Sequence, residues 1–336
     1  HYEKGWQFGG CGGGQRQLQF GKFERYCDQV LHNLLGTVRQ NKSIEKGGKT
    51  SQHIQNTPRG GKWASKFEDA PGKGGKKGDV HAKKALGQHF LNDESIAQRI
   101  ADLVDGEMEH VVEIGPGMGV MTKYLYPRFT EKLLCLEIDG ESVEYLGKQG
   151  WAEGLQVWHG DFLQAKNEVW VKPGAKMALV GNYPYNISTQ IVFQMLECGV
   201  MVSQFAGMFQ KEVAERLAAG EGNKDYGITS ILLQAYYDCE YVFTVHEGSF
   251  NPPPKVKSGV IDCRLKADLP QCDYGALKLV VKTAFAQRRK TMGNAMKSLT
   301  TSRPGFVLPE GWAGMRAEQL GVQDYLRLAQ LWMESV

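Results

Sequence analysis

The feature that most constrains this chain is a repeated alternation of short apolar runs and amphipathic stretches that starts at Val111. Residues 111–114 have the length and composition of a buried strand, and the glycine-rich loop 115–119 connects them to an amphipathic stretch from Val120 to about Arg128. Parallel strands need a crossover connection, which is usually a helix. The alternation therefore predicts an α/β domain built on a mostly parallel sheet.

Further strands are predicted downstream, each after a helical stretch. They span residues 133–138, 155–159, 177–181 and 205–209. Two later apolar runs, 241–245 and 260–265, are close together in the sequence, so we expect them to close the sheet edge as an antiparallel pair. Only helical patterns follow, at 274–285, 290–299 and from Val322 onward.

Composition divides the chain into three segments. Residues 1–80 hold 16 of the 41 glycines and one passage with helical periodicity, 20–38, so we predict a mostly disordered leader. Residues 81–266 carry the alternation, and residues 267–336 are predicted to form a small helical domain. The leader has a net charge of +7 and the remainder −4, so the folded part can hold a nucleic acid only through a local basic patch. We interpret the leader either as a basic arm that gathers RNA or as a dispensable extension.

The sequence also bears on location and assembly. It has no run of about 18 uncharged apolar residues, and its N-terminus lacks the apolar core of a secretory signal, so we expect a cytoplasmic protein without a membrane partner. The seven cysteines are scattered and include no Cys-x-x-Cys pair, which predicts reduced thiols and neither a disulfide framework nor a metal site. We expect a monomer, because no heptad or self-pairing stretch is present.

Acidic side chains stand where the predicted strands end, which is where ligands bind in open α/β sheets. Glu137 ends the second strand, about 20 residues after the glycine loop, where a carboxylate can accept from both ribose hydroxyls. Asp161 follows the third strand and can accept from an adenine amino group, while Phe162 covers the ring. Each acid alone is also typical of a helix cap. The Gly-x-Gly-x-Gly spacing differs from that of dinucleotide binders, so together these features favour S-adenosylmethionine over NAD.

The loop at residues 181–188 is the predicted site of the chemistry. It connects the predicted strand that ends at Gly181 to a helix that Ser188 can cap. The Asn182 carboxamide both donates and accepts hydrogen bonds, Pro184 restricts the backbone, and Tyr185 supplies a flat ring. Such a loop can hold a planar ring that bears an amino group, although the pattern alone also fits an ordinary turn with a structural proline.

From about Lys83 to the C-terminus, the chain resembles the KsgA-type small-subunit rRNA adenine dimethyltransferases. The resemblance depends on six motifs that occur in the family's order. They are residues 87–91 (Gly-Gln-His-Phe-Leu), 113–119 (Glu-Ile-Gly-Pro-Gly-Met-Gly), 181–188 (Gly-Asn-Tyr-Pro-Tyr-Asn-Ile-Ser), 210–213 (Gln-Lys-Glu-Val), 250–258 (Phe-Asn-Pro-Pro-Pro-Lys-Val-Lys-Ser) and 287–291 (Gln-Arg-Arg-Lys-Thr).

This resemblance implies a Rossmann-like class I methyltransferase sheet with a small C-terminal helical domain, S-adenosylmethionine as cofactor, and the small ribosomal subunit with its rRNA as partner. The implied activity is dimethylation of N6 on two adjacent adenosines near the 3′ end of that rRNA. The implied cofactor-binding residues are His89, Leu91, Glu113, Gly115, Gly117, Glu137, Asp161, Phe162 and Asn182. The implied catalytic residues are Asn182, Pro184, Tyr185 and Phe250. RNA binding is assigned to Arg288, Arg289 and Lys290, with lesser candidates at Lys83, Lys84, Lys211, Lys255 and Lys257.

Two positions depart from the family pattern. Tyr183 stands where the family has leucine, and we expect its side chain to point away from the target base. Gly293 stands where the family usually has arginine, which removes one expected phosphate contact.

Two alternative functions remain open at this point. One is a macrolide-resistance methylase that acts on large-subunit rRNA through a similar loop. The other is a ribosome-assembly checkpoint factor that is mainly non-catalytic. The motifs at residues 250–258 and 287–291 favour the small-subunit enzyme over the macrolide-resistance methylase.

Overall fold

The computed structural model describes residues 80–172, 174–197 and 202–335. The predicted leader, apart from Val80, lies outside the described residues, as does its helical passage 20–38. None of the described helices is long and apolar enough to cross a membrane.

Helices and strands alternate through the first two thirds of the described chain. The strands are β1 (Phe90–Leu91), β2 (His110–Ile114), β3 (Leu133–Glu137), β4 (Gln156–His159), β5 (Met177–Asn182), β6 (Val202–Gln210), β7 (Tyr237–Val245), β8 (Phe250–Asn251) and β9 (Ser258–Leu265). The helices are α1 (Glu94–Leu103), α2 (Thr122–Phe129), α3 (Gly140–Gly147), α4 (Asn167–Trp170), α5 (Ser188–Glu197), α6 (Lys211–Ala218), α7 (Ile228–Gln234), α8 (Tyr274–Phe285), α9 (Met292–Ala295), α10 (Lys297–Ser302) and α11 (Val322–Glu334).

The main sheet has seven strands in the order β4-β3-β2-β5-β6-β9-β7. The first five strands in this order, β4 to β6, run parallel to one another. Strand β9 pairs antiparallel with both β6 and β7. The predicted α/β class and its mostly parallel sheet are confirmed. The two late strands do form an antiparallel pair, with the later strand β9 inserted between β6 and β7.

The centre of the sheet is apolar because helices cover it. All residues of β5 except Asn182 are buried, and so are all of β2 except His110, as is typical of parallel strands shielded on both faces. Close approach is greatest where Gly181 of β5 pairs with Gly207 of β6. A Cβ atom at Gly207, whose φ is +141°, would lie 2.3 Å from the Gly181 carbonyl oxygen. Glycine is therefore required at Gly207.

A second, two-stranded sheet joins distant parts of the chain. Strand β1 pairs antiparallel with β8, so that Phe90 faces Asn251 and Leu91 faces Phe250. This pairing places the motif at residues 87–91 beside the motif at 250–258. Sequence periodicity gave no indication of it, because strands of two residues are too short to show a period.

The C-terminal segment is helical, as predicted. Helix α8 has the predicted bounds and packs against α7 and α11. The single helix predicted for residues 290–299 is instead two short helices, α9 and α10, separated at Met296. The Met292 amide donates to the Met315 carbonyl at 2.7 Å, which ties the start of α9 to a later loop. The division of the folded part at residue 266 stays a prediction.

Candidate functional site

A cavity opens at the carboxyl ends of the parallel strands β2, β3, β4 and β5. Its lining comes mainly from five segments, residues 86–91, 113–118, 136–138, 160–162 and 182–185. This is the location at which open α/β sheets bind ligands. The cavity therefore brings together the glycine loop, both predicted acids and the predicted catalytic loop.

The glycine loop forms the floor of this cavity. Gly115 and Gly117 have φ values of +67° and +56°, which are left-handed conformations that glycine adopts without strain. A Cβ atom at Gly117 would lie 3.0 Å from the Phe90 ring, whereas one at Gly115 would have no neighbour within 4 Å. Gly117 therefore makes room for the Phe90 ring, whereas the backbone at Gly115 is open to a ligand.

Glu137 lies at the end of β3 and is 3% exposed. Its carboxylate accepts hydrogen bonds from the backbone amides of Gly117, at 2.9 Å, and Asp139, at 2.8 Å. Burial raises the pKa of this carboxyl despite these bonds. An ionised carboxylate offers about four acceptor positions, so Glu137 retains capacity for the hydroxyls of a ribose.

Glu113, in β2, is more deeply buried, at 1% exposure. The Cys135 thiol donates to its Oε2 at 3.7 Å. Burial, with a smaller contribution from the nearby charge of Glu137, raises the Glu113 pKa to about 7. Glu113 is therefore largely protonated below neutral pH, unlike a solvated glutamate.

Asp161 and Phe162 follow β4, at the far side of the cavity. The Asp161 carboxylate accepts from the Leu163 amide at 2.9 Å and from the Gln164 side chain at 2.9 Å, so it caps the short helical turn at Phe162–Gln164. Phe162 is buried, with its ring centroid 5.1 Å from that of Trp170. The capping role anticipated for an isolated acid is thus present, and a carboxylate that caps a turn still has free acceptor positions for a ligand.

The predicted catalytic loop follows β5. Asn182 is the last residue of β5, and its Nδ2 donates to the His89 carbonyl at 3.0 Å. This bond orients the carboxamide and leaves its oxygen without a donor among the described residues. The Pro184 carbonyl accepts from the Ile187 amide at 3.2 Å, which leaves one of its two lone pairs available.

A family model described as ribosomal RNA adenine dimethylase matches residues 80–331. The chain belongs to the ribosomal RNA adenine dimethylase family. The resemblance inferred from the motifs is confirmed, and with it the assignment of the chain as a methyltransferase.

Two curated relatives of this dimethylase show how close the match is. Both are named ribosomal RNA small subunit methyltransferase A. The protein from Cytophaga hutchinsonii is 51% identical over 258 residues, which cover 75% of this chain and 97% of the relative. The protein from Flavobacterium johnsoniae is 49% identical over 258 residues, which cover 75% of this chain and 95% of the relative.

Solved structures agree with the fold. A dimethyladenosine transferase from Plasmodium falciparum has a TM-score of 0.62 at 24% identity, over 74% of this chain and 98% of its own. The 23S rRNA methyltransferase ErmE has a TM-score of 0.56 at 22% identity, over 73% of this chain and 99% of its own. At these identities the likeness establishes the class I methyltransferase fold alone.

Tyr185 is held from two sides in this dimethylase. Its hydroxyl forms a short hydrogen bond with the Ser258 hydroxyl at the start of β9. Its ring centroid lies 5.5 Å from that of His89, whose Nδ1 donates to the Pro252 carbonyl at 2.8 Å. Leu91 was predicted, like His89, to bind the cofactor, and it lines the cavity from β1. The Tyr185 ring is therefore fixed at the cavity mouth before any base arrives.

Tyr183, the unexpected loop residue, points into the core. It is 1% exposed, and its hydroxyl donates to the carbonyls of Leu179, at 3.2 Å, and Ala206, at 2.9 Å. The ring packs against the face of Phe209, with centroids 4.7 Å apart. The space over the paired glycines Gly181 and Gly207 accommodates the ring, so the departure from leucine is explained by core packing.

The structure does not bring Phe250 into the cavity wall. Its side chain is 3% exposed and packs in the apolar core with Val245 and Val260, although its backbone in β8 pairs with Leu91 at the cavity. In this conformation it is a core aromatic beside a proline turn. Of the two aromatic residues implied to be catalytic, only Tyr185 lines the cavity.

The predicted RNA-binding cations fall into two groups. Arg289, Lys290, Lys84, Lys255 and Lys257 are exposed. Three others make contacts within the protein. Arg288 donates to the Lys224 carbonyl at 2.7 Å and lies 3.7 Å from Glu318. Lys83 lies 2.6 Å from Asp139, and Lys211 lies 3.4 Å from Glu215.

Gly293, the second departure, packs against the turn at Trp312–Gly314. A Cβ atom there would lie 3.2 Å from the Ala313 carbonyl oxygen. A longer side chain at this position would therefore displace the turn unless the backbone moved. The missing arginine is consistent with this local packing.

Sequence reasoning missed three residues that shape the site. Gln88 and Ser258 lie inside quoted motifs but received no role, and Asp139 stands two residues after Glu137 at the end of a strand. The position of Asp139 was a usable signal, because acids at strand ends were the basis for choosing Glu137 and Asp161. The partners of Gln88, Ser258 and Asp139 are distant in the sequence, so the sequence alone does not show which residues they bind.

Proposed function

We propose that this dimethylase transfers methyl groups from S-adenosylmethionine to N6 of two adjacent adenosines near the 3′ end of small-subunit rRNA. The observation that carries the proposal is the Asn182 carboxamide, oriented by the His89 carbonyl so that its oxygen is left to accept from an amino group at the cavity. The names of the relatives with 51% and 49% identity support the small subunit as the target.

The cavity suits an adenosine-bearing cofactor. Glu137 accepts from the ribose hydroxyls and Asp161 from the adenine amino group, while Phe162 covers the ring. Gly115 allows close backbone approach, and Gly117, Glu113, His89, Leu91 and Asn182 complete the surround. When bound, S-adenosylmethionine supplies an electrophilic methyl group on its sulfonium.

The protein has to make adenine N6 nucleophilic, because the lone pair of that nitrogen is delocalised into the ring. The Asn182 Oδ1 and the Pro184 carbonyl oxygen each accept a hydrogen bond from the N6 amino group. These bonds favour tetrahedral geometry at N6 and direct its lone pair toward the methyl group. No general base is needed before attack, since the proton leaves from a nitrogen that is already cationic. Fixed positioning of the two reactants supplies the rest of the rate enhancement.

The target base has to leave its stack to reach this loop, at a cost of a few kcal/mol. Stacking on Tyr185 recovers about 1 to 3 kcal/mol. The exposed cations Arg289, Lys290, Lys84, Lys255 and Lys257 hold RNA phosphates, so that RNA is selected largely by shape. A cytoplasmic location and a monomeric state stay predictions.

The test is methyl transfer with labelled S-adenosylmethionine to immature small subunits and, separately, to large-subunit rRNA. We expect label in small-subunit rRNA only, at two adjacent adenosines. Asn182→Ala should lower the rate at least about 100-fold, on the scale of removing one preorganised polar group from an active site, with little loss of subunit binding. Gln190→Ala is the control, because Gln190 is an exposed residue of α5, the helix that follows the loop, and does not line the cavity. Label in large-subunit RNA alone, or full activity of Asn182→Ala, would refute the proposal.

A further inference from the structure

The segment at residues 83–91, called here the N-terminal wall, closes one side of the cavity. Residues 86–91 line the cavity, and the His89 carbonyl orients Asn182. At its C-terminal end the wall is fixed by the pairing of β1 with β8 and by a 2.8 Å bond from the Asn92 amide to the Ser249 carbonyl. Its N-terminal end needs a separate attachment.

That attachment is Asp139, which is 2% exposed. Lys83 Nζ lies 2.6 Å from Asp139 Oδ1, and Gln88 Nε2 donates to Asp139 Oδ2 at 2.9 Å. The Lys83 amide also donates to Gln88 Oε1 at 2.8 Å, which links the two partners to each other. A single buried carboxylate thus holds both ends of the turn at residues 83–88.

Hydrophobic burial contributes little to holding this turn. None of the residues 80–89 is buried, and the first buried side chain of the segment is that of Phe90. Hydrogen bonds to an ionised carboxylate are stronger than those between neutral groups. The N-terminal end of the wall is therefore held mainly by Asp139, with a second ion pair of 3.1 Å between Lys83 and the exposed Glu141.

Asp139 is also connected to the cofactor side of the cavity. Its own amide donates to Glu137 Oε1 at 2.8 Å, so the proposed ribose ligand and the anchor of the wall belong to one short stretch after β3. Asp139 itself is not among the residues that line the cavity. It acts on a ligand only through its neighbours.

We propose that Asp139 is a positioning residue that latches the N-terminal wall over the cavity and thereby sets the affinity for the methyl donor, without contacting the reacting atoms. This inference rests on the proposed function of the cavity. Loss of the latch lets residues 83–88 move away, so the cofactor dissociates faster. Once the cofactor is saturating, methyl transfer proceeds as in the wild type.

The test compares Asp139→Asn and Lys83→Met in the full chain. Asparagine keeps an oxygen that can cap α3 through the Glu141 amide, so the substitution removes the charge and spares the cap. Lys148→Met is the matched control, since Lys148 forms an exposed ion pair of 2.6 Å with Glu144 on α3, away from the cavity. Cofactor Kd is measured by calorimetry with S-adenosylmethionine, and KM and kcat by methyl transfer.

We expect Kd and KM for the cofactor to rise on the order of tenfold in both latch variants, with kcat within about twofold of wild type and Lys148→Met unchanged. The effects of the two substitutions in the double variant should be less than additive, because both weaken the ion pair between Lys83 and Asp139. Amide hydrogen exchange in the ligand-free protein should be faster at Gly87 and Gln88 in both variants.

Wild-type Kd in both latch variants would overturn the latch and leave the proposed function intact. A fall in kcat at saturating cofactor without a change in KM would also overturn it. A wild-type protein that binds no S-adenosylmethionine would overturn the proposed function and the latch with it. If Asp139→Asn fails to fold, Lys83→Met decides alone, because the Lys83 side chain is 34% exposed and its loss creates no cavity.

Discussion

Glu113 gives the sharpest test of the electrostatics of this site. The carboxyl is 1% exposed in the middle of the sheet, where burial raises its pKa from 4.5 to about 7. Above pH 4.5 the unfolded chain releases this proton, whereas the folded protein keeps it until about pH 7. The neutral carboxyl therefore makes its full contribution to the free energy of unfolding below pH 4.5. This contribution falls as the pH rises and is lost once the pH passes 7.

The size of the loss follows from the two pKa values. Between pH 4.5 and pH 7, at about 1.4 kcal/mol per pH unit, the free energy of unfolding falls by about 3 kcal/mol. Glu113→Gln replaces the neutral acid with an uncharged group of similar shape. We expect the stability of this variant relative to wild type to increase by about 2 to 3 kcal/mol between pH 5 and pH 8.

Urea denaturation of both proteins at pH 5 and pH 8 measures this change. The stability difference between Glu113→Gln and wild type is compared at the two pH values. Any effect of the substitution that does not depend on pH therefore cancels. Glu107→Gln, at an exposed position, is the control and should show no such change. An equal stability difference between Glu113→Gln and wild type at both pH values would refute a protonated Glu113.

Two further predictions concern the loop and the RNA surface. Tyr183→Phe removes the 2.9 Å hydrogen bond to the Ala206 carbonyl, so we expect the free energy of unfolding to fall by about 1 kcal/mol. We expect kcat to stay within about twofold of wild type, and a large fall in kcat would show that the hydroxyl takes part in the chemistry. Arg289→Ala and Lys290→Ala should each reduce the magnitude of the slope of log affinity for RNA against log salt by about 1, measured by filter binding. Arg288→Ala should lower the melting temperature and leave that slope close to the wild-type value, because Arg288 is bound within the protein. An unchanged slope for Arg289→Ala and Lys290→Ala would remove both residues from the RNA surface.

The sequence predicted those features that depend on neighbouring residues. Helix α8 has its predicted bounds because Asp273 caps it and an apolar stripe continues to Phe285. The glycine loop was recognisable because only glycine adopts its backbone conformation without strain. Glu137 and Asp161 reach one cavity because parallel strands end at the same edge of a sheet.

Long-range contacts were not predictable in this way. Lys83 has the sequence context of a solvated cation, yet it pairs with Asp139 across 56 residues. Arg288 stands in a basic run, yet it bonds to the carbonyl of Lys224, 64 residues earlier in the chain. Nothing in the composition of either segment distinguishes a surface charge from one that crosses to another element.

The α/β class, the parallel sheet and the loop beside Asn182 were predictable because strand and helix periods, turn residues and motif order are local properties of the chain. Three features became visible only in the folded chain: Phe250 is buried, Tyr183 fills the space above two glycines, and Asp139 contacts Lys83 and Gln88 of the N-terminal wall. Each of these outcomes depends on which strands lie side by side in the fold: β1 and β8 for Phe250, β5 and β6 for Tyr183, and the end of β3 for Asp139. Packing of that kind is fixed by the shape of the whole fold and leaves no period in the sequence.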